Sequence, residues 1–372
     1  AIRRAKACKG KPTVVKVRTH IAFGSPNKHD TSEAHGAPLG EDEVKLMKQA
    51  FGWDPDQTFL VPDDVYSHMR QCVAKGKKAQ AAWQRMFKRY TKQYPDLAAQ
   101  FRDALAGRPP VDIDALLPQF DPAKPMATRQ ASGKVLSAVM PKLPLVLGGS
   151  ADLTPSNNTW FEGAKDFQKG SYDGRYLRFG VREHAMGAIL NGIAVSGLVR
   201  AYGGTFLVFS DYMRGAVRVA AMAKYPTIFV WTHDSIGVGE DGPTHQPVEH
   251  VAALRAIPNL LVFRPADANE TAQAWRYIFQ HRDTASAILL TRQSLPVLDQ
   301  SKVGPATGVT RGAYVLVKAD RPDVLLLASG SEVSVALAAA DKLAAEGIKV
   351  QVVSMPCWGL FERQPQTYKD EV

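Results

Sequence analysis

From Met126 onward, short apolar runs alternate with stretches of helical periodicity, and this alternation restricts the fold more than any other feature of the chain. PLVLGG (144–149), RAYGGTFLVF (200–209), PTIFVWTHD (226–234), NLLVFRP (259–265) and SAILLTRQ (286–293) have the length and β-branched or aromatic content of buried strands. VREHAMGAILNGIAVSG (181–197), DYMRGAVRVAAMAKY (211–225), VEHVAALRAI (248–257) and ANETAQAWRYIFQHR (268–282) carry helical spacing between them. Strands joined by helical crossovers run parallel, and strands apolar on both sides need cover on both faces. The pattern therefore predicts an α/β fold: a parallel sheet with helices on both faces. After a break near 301–308, strand DVLLLASG, helix EVSVALAAADKLAAEG and strand KVQVVSM predict a second, partial α/β domain with too few elements to close a sheet.

The first third reads differently. PTVVKVR (12–18) predicts a short buried strand, and GSPNKHDTSEAHGAPLG (24–40) a polar loop punctuated by glycine. EDEVKLMKQAFG (41–52) opens on three acids and closes on glycine, as a helix does. Residues 63–107 read as long charged helices, and the proline-rich RPPVDIDALLPQFDPAKP (108–125) as a linker into the next domain. Most of the net charge of +10 lies in this third, densest in KGKKAQAAWQRMFKRYTK (75–92). That run reads first as a solvated helix face, with an anion-attracting surface as the alternative. No nucleic-acid motif accompanies it, so no nucleic-acid partner is expected. No apolar run approaches the ~20 residues of a membrane span, so no membrane partner is expected either. Cys8, Cys72 and Cys357 are few, distant and odd in number, which argues against a disulfide framework or zinc site and fits a reducing, cytoplasmic setting. The opening AIRRAKACKG lacks a signal peptide's apolar core and an initiating methionine, and reads as processed or incomplete.

Ligands of open parallel sheets sit at the carboxyl ends of the strands, and four segments there carry polar chemistry. GGSADLTPSN (148–157) offers Asp152 and Ser156 as acceptor and donor, or simply a helix-capping turn. FGVREHAMGAILNG (179–192) places Glu183 in the first turn of a helix of small apolar residues, where the helix dipole favours a carboxylate and plain capping explains it as well. GGTFLVFSDYMRG (203–215) repeats Phe206, Phe209 and Tyr212 at three-residue spacing, as core packing or as a cradle for a flat heterocycle. THDSIGVGEDGPTHQP (232–247) gathers two histidines, Asp234, Glu240, Asp241 and three glycines in one loop. Its GVGEDG fits the dinucleotide fingerprint, but its acids face a pyrophosphate with like charge and Pro243 stands where helical amides should open. His233, Asp234 and His245 match no familiar metal-ligand spacing. Arg129, at a helix start, and Arg292, at a strand end, are surface ion-pair partners or phosphate holders.

Together, GSADLTPSN, RFGVREHAMGAILNGIA, GTFLVFSDY, THDSIGVGEDGPTHQP, RPADANE and LTRQSLP resemble the transketolase family in order and along nearly the whole chain. The resemblance implies a thiamine-diphosphate enzyme transferring a two-carbon ketol unit from a ketose phosphate such as xylulose 5-phosphate to an aldose phosphate such as ribose 5-phosphate or erythrose 4-phosphate, in the pentose phosphate pathway. It implies the end of a diphosphate-binding domain at 1–50, a helical linker at 51–125, a pyrimidine-binding domain at 126–300 and a partial C-terminal domain at 301–372. By position Glu183 matches the glutamate that hydrogen-bonds the aminopyrimidine. Phe206, Phe209 and Tyr212 match the ring-packing aromatics, Asp152 an aspartate near the cofactor, and Ile21 a residue beside the thiazolium. Arg129, Ser156, His233 and Arg292 match a sugar-phosphate anchor. Asp241 matches a reader of a substrate hydroxyl, and His35 and His245 match histidines placed for proton transfer. Mg2+ or Ca2+ ligands belong to a family segment absent here, so no residue of this chain is assigned to metal. The resemblance further implies a cytoplasmic homodimer with its active site between subunits. A dihydroxyacetone synthase-like relative and a nucleotide-binding module built on GVGEDG are the alternatives.

Overall fold

The computed structural model describes residues 1–372, which fall into two compact units, Ala1–Arg89 and Tyr90–Val372. In the first lie α1 (Ile2–Ala7), α2 (Glu41–Ala50) and most of α3 (Asp63–Gln93). Glu41, Asp42 and Glu43 form the acidic first turn of α2, where the helix dipole favours them. Glu43 is buried and accepts the Ser25 hydroxyl together with the backbone N–H (2.8 Å) and side-chain amide (2.9 Å) of Asn27. These donors, the Ser25 hydroxyl foremost, hold its carboxyl down at about 2. The clamp ties the loop at 24–40 to α2. The strand predicted at 12–18 does not form: those residues are irregular, and Val14 and Val17 are 91% and 76% exposed. A strand needs a neighbour for its backbone groups, and none pairs with this segment.

In the second unit α4 (Pro95–Leu105) leads through an irregular segment to α5 (Thr128–Val139). The main sheet then forms from β1 (Val146–Ser150), β2 (Tyr176–Arg178), β3 (Arg200–Phe206), β4 (Ile228–Thr232), β5 (Leu260–Phe263) and β6 (Ala285–Leu290). Its order is β2-β1-β3-β4-β6-β5, with every pair parallel. The crossovers are α6 (Thr154–Asn157), α7 (Glu183–Val195), α8 (Arg214–Met222), α9 (His250–Arg255) and α10 (Ala268–Gln280). The strand periodicity of two divides the core in half. Tyr202, Ile228, Val230, Ile288 and Leu290 face α5 and α10, while Ala201, Phe229, Trp231, Ala287 and Leu289 face α7 and α8. Fully burying each such large side chain contributes roughly 1.5–3 kcal/mol. Close packing of α7 depends on Gly187, where a Cβ would meet the Ala216 methyl at 2.9 Å. The chain leaves β1 for β2 on one side and then for β3 on the other, so a topological switch point opens at their carboxyl ends.

A second sheet follows, with order β7-β9-β8, from β7 (Tyr314–Val317), β8 (Val324–Ala328) and β9 (Val350–Ser354), and α11 (Glu332–Ala345) crosses between the parallel β8 and β9. The antiparallel β7 and the three-residue β2 went unpredicted. Two buried polar knots join the sheets. Arg264 donates to Asp234 (2.8 Å) and pairs with Glu332, while Glu270 of α10 accepts hydroxyls from Tyr314 (2.8 Å) and Ser354.

Candidate functional site

At the carboxyl end of β3 the chain turns into a 3₁₀ helix, Leu207–Met213. Side chains three apart eclipse in that geometry, so Phe206, Phe209 and Tyr212 stack as a ladder. Ring centroids are 5.7 and 6.0 Å apart, with planes inclined by 11° and 27°. The ladder climbs from Phe206, 7% exposed, to Tyr212, 68% exposed. An aromatic face of this area left open to solvent is a ready seat for another flat ring. Glu183 lies buried at the start of α7, where the Thr205 hydroxyl donates to its Oε1 at 3.4 Å and no cation pairs with it. Thr205 precedes Phe206 on β3, so the carboxyl is tied to the strand that carries the ladder, through a side chain on the strand's other face.

A cationic cleft adjoins the same aromatics. Arg129, in the first turn of α5, donates from Nη1 to the carbonyl of Ser156 at 2.7 Å. Arg292 follows β6, and its Nε is 3.7 Å from Oδ2 of Asp241. Glycine at 239 adopts φ 81°, a left-handed conformation that residues with a Cβ rarely take. His233 follows β4 in a left-handed conformation (φ 61°), its ring 3.7 Å from that of Phe206 and its Nε2 3.9 Å from Asp241 Oδ2. His245 sits edge-on to Phe209 at 5.2 Å. Burial, reinforced by the Arg129 guanidinium and opposed by Asp241, pulls the His233 imidazole down to about 4, so it is neutral at physiological pH. Burial and the like charge of Arg292 also lower Arg129. Two guanidiniums against the single carboxylate of Asp241 leave the cleft short of negative charge.

A buried relay sets how His233 faces this cleft. Ser150 Oγ donates to Asn157 Oδ1 (2.8 Å), Asn157 Nδ2 donates to Thr232 Oγ1 (2.7 Å), and Thr232 Oγ1 lies 2.9 Å from His233 Nδ1. The Asp241 carboxylate, 3.9 Å from Nε2, favours the tautomer with its proton on that nitrogen, and the Thr232 hydroxyl then donates to Nδ1 while accepting from the amide. A neutral imidazole accepting at Nδ1 carries its proton on Nε2, the atom that looks toward Asp241. Asn157 and Thr232 were not singled out from the sequence, because a buried amide and hydroxyl give no signal until the strands are assembled.

Asp152 follows β1 with φ 61° and borders an exposed hollow with Arg178 and Gly180. Ile21 and His35 belong to the first unit, both exposed, Ile21 in a turn whose carbonyl accepts from Asp30 N–H at 3.0 Å. Asp234 is turned away from His233 and His245 to Arg264, which removes it from any metal set with them. The GVGEDG loop forms short 3₁₀ turns, Gly239–Asp241 and Pro243–His245, and no α-helix begins before His250. A dinucleotide fingerprint requires helix N-terminal amides at that point, so the nucleotide-module alternative is corrected.

Three family models match the chain: the transketolase thiamine diphosphate binding domain over 1–110, the transketolase pyrimidine binding domain over 124–297, and the transketolase-like TK C-terminal domain over 312–372. The transketolase of Geobacillus stearothermophilus is 50% identical over 375 residues, covering 100% of this chain and 56% of that protein. That of Mycobacterium tuberculosis is 53% identical over 390 residues, covering 100% and 55%. Among solved structures, a Pichia stipitis transketolase in complex with sedoheptulose-7-phosphate superposes with TM-score 0.92 at 45% identity, covering 100% of this chain and 55% of that one. A protein described as a split gene transketolase, inactive beta4 tetramer, superposes with TM-score 0.51 at 28% identity over 63% of this chain and 73% of its own. The chain thus spans about half the length of the curated relatives it matches. A parallel sheet with this strand order, domain matches along nearly its full length and identities near one residue in two lead to one assignment: the chain belongs to the transketolase family.

Proposed function

We propose that this chain supplies the pyrimidine-binding and sugar-phosphate-binding side of a transketolase, which moves a two-carbon ketol unit from xylulose 5-phosphate to ribose 5-phosphate or erythrose 4-phosphate. The observation that carries this reading is a buried carboxyl without a counter-cation, Glu183, bound through Thr205 to the strand that ends in a solvent-open aromatic ladder, which abuts a cleft rich in guanidinium. These residues suit thiamine diphosphate: an exposed stack for a flat aminopyrimidine and a carboxyl to hydrogen-bond it. When bound, that cofactor supplies the nucleophile and the electron sink. Glu183 hydrogen-bonds the aminopyrimidine, and Phe206, Phe209 and Tyr212 orient the ring and exclude water from one side.

On the substrate side, Arg129 and Arg292 grip a phosphate dianion by charge-assisted hydrogen bonds. His233 adds a neutral Nε2–H donor, and the Ser156 hydroxyl completes the anchor. A neutral imidazole suits this position, because a third cation beside the two arginines would raise the cleft's self-repulsion without the ligand. Asp241, held between His233 and Arg292, faces a substrate hydroxyl, and His245 stands ready to move a proton at a substrate oxygen. The same reading assigns Asp152 and Ile21 to the cofactor, and His35 and His245 to the substrate. The domain limits at 1–50, 51–125, 126–300 and 301–372, a homodimer with shared sites, Mg2+ or Ca2+ held outside this chain, and a cytoplasmic location complete the proposal.

Calorimetry with xylulose 5-phosphate and with xylulose tests it. The phosphate ester should bind the 372-residue chain and the neutral sugar should not, with binding lost in Arg129→Met; equal binding of the two sugars would sink the assignment. Thiamine diphosphate with magnesium should bind the isolated chain weakly or not at all, and submicromolar affinity would refute that part.

A further inference from the structure

His233 faces the cleft from a backbone conformation that a residue with a side chain rarely keeps. It lies in the left-handed region, at φ 61°. There the Cβ crowds the following carbonyl, and a residue stays only when its surroundings hold it from more than one side. Two holds are in place. One is the Thr232 hydroxyl, 2.9 Å from Nδ1. The other is the next residue, Asp234, whose buried carboxylate accepts from Arg264 Nε at 2.8 Å. Burial raises the Asp234 carboxyl, and Arg264 is the chief influence against it. Without that guanidinium the carboxylate would be buried and uncompensated, and it would take a proton or leave its seat.

Arg264 follows β5 of the main sheet but is fastened to the second. Its backbone N–H donates to the carbonyl of Pro356 at 2.8 Å, and its carbonyl accepts the Gly330 N–H at 2.9 Å. Its Nη1 donates to the carbonyl of Ser329 at 3.0 Å, and both terminal nitrogens reach Glu332, Nη2 meeting Oε1 at 3.1 Å. The turn at 329–331, between β8 and α11, closes over the arginine stem because residue 330 is glycine: it takes φ 63°, and a Cβ there would stand 2.8 Å from Arg264 Cγ. One unbroken set of contacts therefore runs from Glu332 through Arg264 and Asp234 to the backbone of His233.

We propose that Asp234 and Arg264 are positioning residues for His233, so that the second sheet sets how firmly the cleft holds a phosphate ester without placing a side chain in it. The proposal rests on the reading of the cleft as a phosphate site. Glu332 fixes the guanidinium, the guanidinium fixes Asp234, and Asp234 fixes the turn that aims the His233 Nε2–H. When the link is cut, His233 relaxes toward an ordinary φ and its Nε2–H swings off the phosphate.

Three variants of the 372-residue chain test it. Asp234→Ala cuts the link but leaves Arg264 paired with Glu332, so no buried guanidinium is stranded. Asp234→Asn keeps an acceptor for Arg264 Nε, and Glu332→Ala removes only the half-exposed far end of the link. The readouts are histidine nitrogen spectra, with His233 assigned by its loss in His233→Gln, xylulose 5-phosphate affinity by calorimetry, and the unfolding midpoint. Asp234→Ala should move the His233 nitrogen signals and weaken the sugar phosphate by about tenfold, and Asp234→Asn should restore both. Glu332→Ala should act in the same direction by about threefold. His233 signals that stay in place in Asp234→Ala overturn the proposal. So does a lowered midpoint with unchanged affinity, which would make the joint structural only. A parent chain that binds no xylulose 5-phosphate overturns the reading of the cleft instead, and His233 signals that still move in Asp234→Ala then support the coupling by themselves.

Discussion

Replacing Glu270 by glutamine should stabilise the chain above neutral pH and leave it nearly unchanged in mild acid. Glu270 is fully buried in α10, where its Oε2 accepts the Ala266 N–H at 2.7 Å and its Oε1 meets the hydroxyls of Tyr314 and Ser354 from the second sheet. Burial first, and then the nearby Asp267 carboxylate, push its pKa from 4.5 to about 7, against the pull of those donors. The folded chain therefore keeps a proton that the unfolded chain gives up between about pH 4.5 and 7. Stability falls as pH rises through that window, by roughly 3 kcal/mol once the acid is ionised in both states. Glutamine is neutral like the protonated acid: its carbonyl accepts the Ala266 N–H, and its amide nitrogen donates to the oxygens of Tyr314 and Ser354, whose hydroxyls turn from donors to acceptors. Urea unfolding at pH 5 and pH 8 reads the difference: near equality at pH 5, and a gain of roughly 2–3 kcal/mol for Glu270→Gln at pH 8. A variant weakened equally at both pH values would show that the glutamate works as a carboxylate, and the argument would fail.

The same experiments bear on the candidate site. In the Glu270→Gln background, stability should rise from about pH 4 to pH 6.5, because His233, pulled down to about 4, takes up its proton only on unfolding; a flat profile would contradict its burial as a neutral base. Asn157→Leu cuts the relay to His233, so nitrogen spectra should show Nδ1 losing its acceptor signature, with sugar-phosphate affinity falling roughly tenfold; an unchanged Nδ1 signal would remove Asn157 from that role. Arg292→Met should weaken xylulose 5-phosphate by roughly 10- to 100-fold while leaving the unfolding midpoint level or higher, since Arg129 loses a like-charged neighbour. A lower midpoint with intact affinity would make Arg292 structural.

The main sheet was legible because its information is local. The five strands read between 144 and 293 are compact apolar runs, and period-two alternation such as Phe229 and Trp231 against Ile228 and Val230 follows from burial on both faces. What failed was information held by partners. Val14, Val15 and Val17 look like a strand until pairing is asked for, and the three residues of β2 look like loop until β1 lies beside them. The three-residue spacing of Phe206, Phe209 and Tyr212 was visible, but it equally describes core packing, and only the 3₁₀ geometry with an exposed Tyr212 separates the two. Asp234 shows the same limit from the other side: adjacent in sequence to His233, it serves the joint between the sheets. Asn157 matters because of what lies across from it, which one chain position cannot announce.

The central claim is that the Glu183 carboxyl and the ladder Phe206–Phe209–Tyr212 together receive an aminopyrimidine ring. Crystals of the chain soaked in millimolar thiamine diphosphate test it directly, because high concentration offsets weak binding. The account predicts a ring lying against the ladder with a nitrogen about 3 Å from Glu183, and no such density in Glu183→Ala. A ring bound elsewhere, or one on the ladder whose density is untouched by Glu183→Ala, would contradict it.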